Sequence, residues 1–336
     1  MTMSIDRRAL LRTTLAASVG GAAVLSGMAP AAAQAKILLR LSAPATATDQ
    51  RAVGLIEKFG PAVSAFAEFQ PHWNASLFKQ GTENEAIARG NLEMSIASAQ
   101  EFATIIPAWS MFTAGYLLRD ADHQLKVFKS DVGQAMSKMV EDKLGIKLLA
   151  VMYLGKRQVN LRSDKPIKTP ADLAGMKLRM PPSEAWQFLG KALGANPLPM
   201  AFTELYTALQ SGAIDGQDNP LPTNKDSKFF EVTKQIVLTS HLVDWNFLTL
   251  SKKVWDKFTP EQQKVVQQAA DDACTQARNA QLKLEDELIA FFKEKGLKVY
   301  EPDVAAFRTH VQKEYLASKF AKDWPAGMVD KINAIK

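Results

Sequence analysis

Short apolar runs alternate with helical periodicity along the first half of the chain. Lys36–Ser42 (KILLRLS) is too continuously apolar for a strand with one wet face, so it predicts a buried one. Gln50–Phe69 carries apolar residues at Val53, Ile56, Phe59, Val63 and Phe66, a helical spacing that Pro61 is placed to bend. A second strand is expected around His72–Leu77. After Gly81 come a helix Glu83–Arg89, stopped by Gly90, and a third strand Leu92–Ala97. Helical patterning returns over Ala121–Lys143 and is closed by Gly145 before a strand Lys147–Tyr153. This strand–helix rhythm predicts an α/β fold with a doubly wound sheet.

The stretch Lys168–Asn219 reads as two consecutive short strands, each followed by a helix. Thr169 caps a one-turn helix with Pro170 at its first position, Asp172 at its third and Gly175 as the stop. In the strand Met176–Met180, Met176, Leu178 and Met180 share one face while Lys177 and Arg179 take the other. Pro181 and Pro182 cannot continue a central strand, so the chain leaves the sheet just past Arg179. That places the guanidinium at the carboxyl end of a strand, where open α/β sheets bind ligands. Further on, a helix near Asp226–Glu231, a strand Gln235–Leu238 and a segment Asp244–Ser251 precede a long helix. It opens at Pro260-Glu261 and runs, with breaks, to about Lys295.

The formal charge of +6 includes the leader; without residues 1–35, which hold Arg7, Arg8, Arg12 and Asp6, it becomes +6 − 3 + 1 = +4. A modest excess interleaved with acids suits an anionic ligand and does not indicate nucleic acid. With the single Cys274, no disulfide can form within the chain and no cysteine metal site exists; a buried structural thiol is expected. In the leader, Arg7-Arg8 precedes Ala9-Leu10-Leu11, Arg12, an apolar small-residue run Thr13–Ala29 and the Ala-rich Pro30–Ala35. This pattern looks like a twin-arginine (Tat) export signal. The apolar run falls short of the ~20 strongly apolar residues of a membrane span. Cleavage after Ala33 or Ala35 would leave a soluble, periplasmic chain.

The runs DLAGMKLRMP and FTELYTALQSGAIDGQDNP resemble the solute-binding proteins of tripartite ATP-independent periplasmic (TRAP) transporters, the dicarboxylate-binding-protein family. The resemblance covers nearly all of the chain after the leader and is densest from Gly155 to Trp255. It implies a two-domain α/β periplasmic binding protein of the Venus-flytrap type, with doubly wound sheets, hinge crossings and the long helix as a strut. The first domain would hold residues 36–155 and about 245–282, the second 156–244 and about 283–336. The chain would cross between them from Tyr153 to Val159.

The resemblance also assigns ligand-binding residues, each with a plainer alternative. Arg179 would form a two-pronged salt bridge with a ligand carboxylate, as a planar guanidinium suits; otherwise it pairs locally with Glu184. Arg157 falls where many members have a second pocket arginine, or else in a solvated basic turn with Lys156 and Arg162. Asn219 matches an asparagine that hydrogen-bonds the ligand and is also placed for an Asx turn before Pro220. Tyr206, in the helix opened by Thr203, either reaches the cleft or is a buried aromatic with a wet tip. Glu204 sits well in the first helical turn for structural reasons. Trp245 either lines the pocket or packs in the core. Glu83 and Gln80 lie in a loop that borders the cleft in relatives, though a solvated surface is the preferred reading there. Members commonly carry Pro and Phe in the segment Thr113–Leu118, where this chain reads Thr-Ala-Gly-Tyr-Leu-Leu, which leaves the first-domain wall of the pocket open.

No nucleophile elbow, phosphate loop, H-E-x-x-H pair or spaced metal quartet is present, and Asp215 and Asp218 lack EF-hand spacing. The histidines His72, His123, His241 and His310 are scattered and read as surface or capping residues. The expectation is therefore a monomeric, non-enzymatic binding protein without cofactor or metal. It would capture a small organic acid anion, close around it, and deliver it to TRAP membrane permease subunits. A same-fold receptor for a sensor system and, less readily, a periplasmic enzyme are the alternatives. Dicarboxylates, keto acids, aromatic acids and sugar acids all remain open.

Overall fold

A computed structural model describes residues 35–336. All but the last residue of the export signal read over residues 1–35 lies outside the described residues. Among the described residues no helix is long and apolar enough to cross a membrane.

The strands are β1 (Ile37–Ser42), β2 (Ala67–His72), β3 (Met94–Ser98), β4 (Ile146–Leu161), β5 (Lys177–Met180), β6 (Asn196–Pro199), β7 (Gly216–Asn219), β8 (Gln235–Ser251) and β9 (Lys298–Tyr300). They form one mixed nine-stranded sheet in the order β2-β1-β3-β8-β4-β7-β5-β6, with β9 added on β8. Parallel pairs β1/β2, β1/β3, β5/β6 and β5/β7 lie toward the two ends, as helical crossovers require. The middle is an antiparallel ribbon of β4 and β8, whose register runs from Ile146–Ser251 to Leu161–Gln235. β3 joins the Asn246–Leu250 end of β8, and β7 joins the Gln158–Leu161 end of β4.

This ribbon corrects the sequence reading. The strand expected to stop at Tyr153 continues to Leu161, and Gln235–Leu238 and Asp244–Ser251 are parts of one strand of 17 residues. The pairing of β4 with β8 is interrupted by register shifts between Leu148 and Ala150, Tyr153 and Gly155, and Arg157 and Val159. Bulges bend a strand without ending its pairing. Gly155 adopts φ +128°, a backbone conformation that side chains oppose, and an added Cβ would lie 2.6 Å from Pro220 Cβ and 2.7 Å from Glu285 Oε1.

The helix Pro260–Glu294 is continuous over 35 residues, without the expected breaks; at 1.5 Å per residue it is about 52 Å long. Thr259 and Gln262 form a capping box at its start. Val266, Ala269, Ala270, Ala273 and Cys274 pack it into a core with Leu39, Leu41, Leu248 and Leu250. Leu288 and Phe292 pack its other end with Leu221, Ile236 and Val299. Between these ends, Glu285 accepts from Tyr153 Oη at 2.8 Å and from Lys156 N at 2.6 Å, while Gln281 donates to the Leu154 carbonyl. The helix thus grips β4 where it bulges.

Smaller differences have local causes. The helix from Gln50 widens into a π turn at Leu55–Phe59 ahead of Pro61, ends at Val63, and releases β2 five residues earlier than expected. The helix read over Ala121–Lys143 is two, Ala121–Lys129 and Asp131–Leu144, separated by extended backbone at Ser130. The helix expected at Asp226–Glu231 lies at Leu221–Asp226, followed by one 3-10 turn.

Replacing Gly155 by alanine should destabilise the chain by about 2 kcal/mol, from strain at positive φ and overlap with Pro220. A urea unfolding midpoint equal to the parent's would show that the ribbon yields here freely.

Candidate functional site

Beside the ribbon lies a cavity, lined from one end of the sheet by residues such as Asp49, Gln80 and Glu101, and from the other by Arg179, Trp186, Asn219 and Asp226. The two ends touch directly: Gln80 Oε1 accepts from Phe202 N at 2.9 Å and from Arg179 Nη2 at 3.4 Å.

Three arginines line the cavity and differ in how their charge is met. Arg157, on β4, donates from Nε to Asp218 Oδ2 at 2.6 Å, from Nη2 to Asp218 Oδ1 at 3.0 Å, and from Nη1 to Asp244 Oδ2 at 2.8 Å. Its guanidinium stands 4.4 Å over the Trp186 ring. Burial would lower its pKa, but Asp218 and Asp244 more than reverse that and hold it charged. Asp218 lies behind it on β7 and also pairs with His241 Nε2 at 3.0 Å. Burial opposes its ionisation, yet Arg157 and His241 keep its carboxyl well below the usual range. Arg51 is gripped by Asp49, Nε to Oδ1 at 2.9 Å and Nη2 to Oδ2 at 2.7 Å, and reaches Asn246 through Nη1.

Arg179 is different. It is 1 % exposed at the end of β5, and its bonds run to neutral oxygens, Met200 O at 2.8 Å and Gln80 Oε1. Among the described residues it has no carboxylate partner. Glu184, the local acid weighed against it, pairs instead with Lys319. Burial, and then the like charge of Arg157, lower the Arg179 pKa to about 9. A buried cation so placed gains from any anion brought beside it.

Asn219 lines the same cavity, its Nδ2 donating to Gln217 Oε1 at 2.6 Å. Gln217 in turn donates to Asn160 and Asn224, so a buried amide network holds β7 to β4. The sheet thus brings Arg179, Arg157 and Asn219 together. It does not bring the other three candidates to the cavity wall. Tyr206 donates its hydroxyl to Glu231 at 2.8 Å on the surface. Trp245 is 1 % exposed against Phe112 and Phe247, while its neighbours Asp244 and Asn246 line the cavity, because side chains alternate along a strand. Glu83 is not solvated as read but 4 % exposed, with Oε2 accepting from Gly81 N at 2.7 Å and Oε1 unpartnered. Gln80, also read as surface, is the residue of that loop that reaches Arg179. The segment Thr113–Leu118 lies away from this wall; Tyr116 N donates to the His241 carbonyl at 2.9 Å. His241 is fully buried between Thr239 and Asp218, and His123 is buried too, so neither is a surface residue.

Sequence reasoning missed Asp49, Arg51, Glu101, Asp226, Asp244 and Asn246. Of these only Asp244, a charge inside the apolar run Leu242–Leu250, carried a local signal. Glu101 closes a capping box with Ser98, its Oε2 accepting from Ser98 N at 2.8 Å. Burial raises its pKa to about 7; burial, then Glu101, raises Glu83 to about 8; burial, then Asp49, raises Asp226 to about 6. Among the described residues no group of His, Cys, Asp or Glu is arranged to hold a metal ion.

Two predictions follow from these charges. Arg157→Ala leaves Asp218 and Asp244 buried without their cation and should cost about 3–5 kcal/mol of stability, read by urea unfolding. A loss near zero would mean that the clamp is replaceable by solvent. Glu83 binds its proton more tightly folded than unfolded, so its stabilisation is complete below pH 4.5, the unfolded value, and is lost as pH rises through about 8. The melting temperature should therefore fall between these limits, and Glu83→Gln should flatten the decline; an equally steep decline in the variant would assign it elsewhere.

The family model for bacterial extracellular solute-binding proteins, family 7 (DctP), matches residues 63–323. The sialic acid-binding periplasmic protein SiaP of Vibrio cholerae is 35% identical over 254 residues, covering 75% of this chain and 77% of its own. The 2,3-diketo-L-gulonate-binding periplasmic protein YiaO of Escherichia coli is 33% identical over 247 residues, covering 73% and 74%. A TRAP periplasmic solute-binding protein from Roseobacter denitrificans, solved with bound 3-deoxy-D-manno-oct-2-ulosonic acid, superposes with a TM-score of 0.89 at 59% identity, covering 90% of this chain and 100% of that one.

Proposed function

The chain belongs to family 7 of the bacterial extracellular solute-binding proteins, with the two-domain α/β fold of TRAP periplasmic receptors for small organic acids, and from that membership we propose that it captures its acid through Arg179. The observation that carries this is the buried Arg179 guanidinium on the cavity wall, satisfied only by neutral oxygens. A carboxylate there would form charge-assisted, bidentate bonds in a site screened from water. Asn219 lies on the same wall to hold the rest of the ligand. Arg157, already matched by Asp218 and Asp244, adds field and shape more than a free charge.

The residues on each side of the bulged ribbon act as two lobes, 36–155 with about 245–282 and 156–244 with about 283–336, that close over the acid by bending at Tyr153–Arg157. Closure presents the loaded monomer to TRAP membrane permease subunits. Export would follow the twin-arginine route, with cleavage near Ala33 or Ala35. The 59%-identical relative with its bound ulosonic acid supports a sugar acid as ligand.

Titration calorimetry of Arg179→Ala with 3-deoxy-D-manno-oct-2-ulosonic acid tests the reading. A loss of about 3–5 kcal/mol is expected once the carboxylate has no cation. Folding stability should change little, because no acid in the protein loses a partner. Affinity within about threefold of the parent, less than 1 kcal/mol, would sink the assignment.

A further inference from the structure

The charges around the cavity do not balance evenly. Its lining holds the cations Arg51, Arg157 and Arg179 and the acids Asp49, Glu101, Asp226 and Asp244. Arg51 is matched by Asp49, and Arg157 by Asp244 together with Asp218 behind it. Arg179 remains as one cation for one carboxylate. Asp226 and Glu101 remain as acids that form no ion pair among the described residues.

These two are set apart from the cation. The charges acting on Asp226 are Asp49, Lys225 and Arg51; those acting on Arg179 are Arg157, Asp218 and Glu204. Asp226 ends the helix Leu221–Asp226, and Glu101 sits in the first turn of Ala99–Ala103, at opposite ends of the sheet, so the acids face the cavity from both sides. Two lining side chains also have buried oxygens without a partner: Asp244 Oδ1, in a residue 1 % exposed, and Thr223 Oγ1, in one 7 % exposed. The Asp244 oxygen calls for a donor, while the Thr223 hydroxyl can donate or accept. Once ionised, as above pH 7, the carboxylates of Asp226 and Glu101 accept only, so the groups they favour on a ligand are hydroxyls, while a second ligand carboxylate would meet like charge in a poorly solvated space.

We propose that Asp226 and Glu101 form a selectivity filter that accepts the hydroxylated tail of a monocarboxylate and turns away a second carboxylate. The ligand class is then a polyhydroxylated acid with one charge, and dicarboxylates are excluded. The proposal rests on carboxylate capture by Arg179. Specificity of this kind needs a repulsive element against the wrong ligand as well as contacts to the right one.

The test sets acids of equal length against each other at pH 8, where both filter acids are mostly ionised. One pair is 3-deoxy-D-manno-oct-2-ulosonic acid and its derivative oxidised to a carboxylate at C8; the other is D-galactonate and D-galactarate. Calorimetry of the purified protein should give a preference of about tenfold or more for the monocarboxylate of a pair, the scale of like charges about 12 Å apart at the effective dielectric of a protein surface. In the double variant Asp226→Asn, Glu101→Gln the preference should shrink at least about fivefold, mainly because the dicarboxylate binds more tightly. Asp226→Asn alone, at a half-buried position, should move the ratio in the same direction and serves if the double variant folds poorly. A parent protein that binds both members of each pair equally, or variants with an unchanged ratio, overturns the filter. Arg179→Ala should weaken both members alike; if it weakens neither, the capture reading fails, which is a different outcome from an unchanged ratio. Failure of the parent to bind any of these acids overturns both.

Discussion

The Arg157 clamp is the interaction on which the rest of the architecture depends. One guanidinium on β4 ties Asp218 on β7 to Asp244 on β8, so three neighbouring strands are joined where the ribbon bends. Without this cation, two carboxylates would be buried in the sheet with nothing to compensate them. Arg157 and Asp244 line the cavity, and the Arg157 guanidinium stacks over the Trp186 ring. Asp218 and Asp244 are committed to Arg157, and neither forms an ion pair with Arg179. The internal pairing of one arginine is what leaves another without an acid partner among the described residues.

The same logic extends across the cavity. Arg51 and Asp49 form a second closed pair, and Gln80 supplies Arg179 with a neutral oxygen, not an ionic one. Each neutral contact satisfies a donor while leaving the charge uncompensated. A wall made in this way can be reset for different acids by altering the unpaired groups alone, with the strands, the clamp and the amide network of Gln217 and Asn160 left in place. That fits the variety of acids named for proteins that share this fold.

Much of this was legible in the sequence, for physical reasons that differ by element. The Thr169–Asp172 cap, β5 and the exit at Pro181 follow from local rules of capping and proline chemistry, and they placed Arg179 at a strand end on the cavity wall. The long ribbon was not legible. Glycine at 155 and the polar residues Thr239–His241 look like strand ends, whereas pairing across the ribbon carries both strands through, with bulges absorbing the irregularity. Trp245 and Tyr206 show the limit of motif transfer without geometry: one step along β8 separates a cavity residue from a core residue. The acids Glu101 and Asp226 occupy a helix cap and a helix end, where carboxylates are ordinary, so nothing local distinguished them from surface charges.

The continuity of the ribbon and of the 35-residue helix has a consequence for the chain as an object. Both halves of the sheet draw on the same two strands, and the helix buries one end in each half's core. Neither half owns a complete set of its own elements, because residues 235–251 and 260–294 serve both. A fragment made of either half alone would expose a raw strand edge and half of an apolar helix. A cut within either strand or within the helix would therefore remove elements from both halves at once.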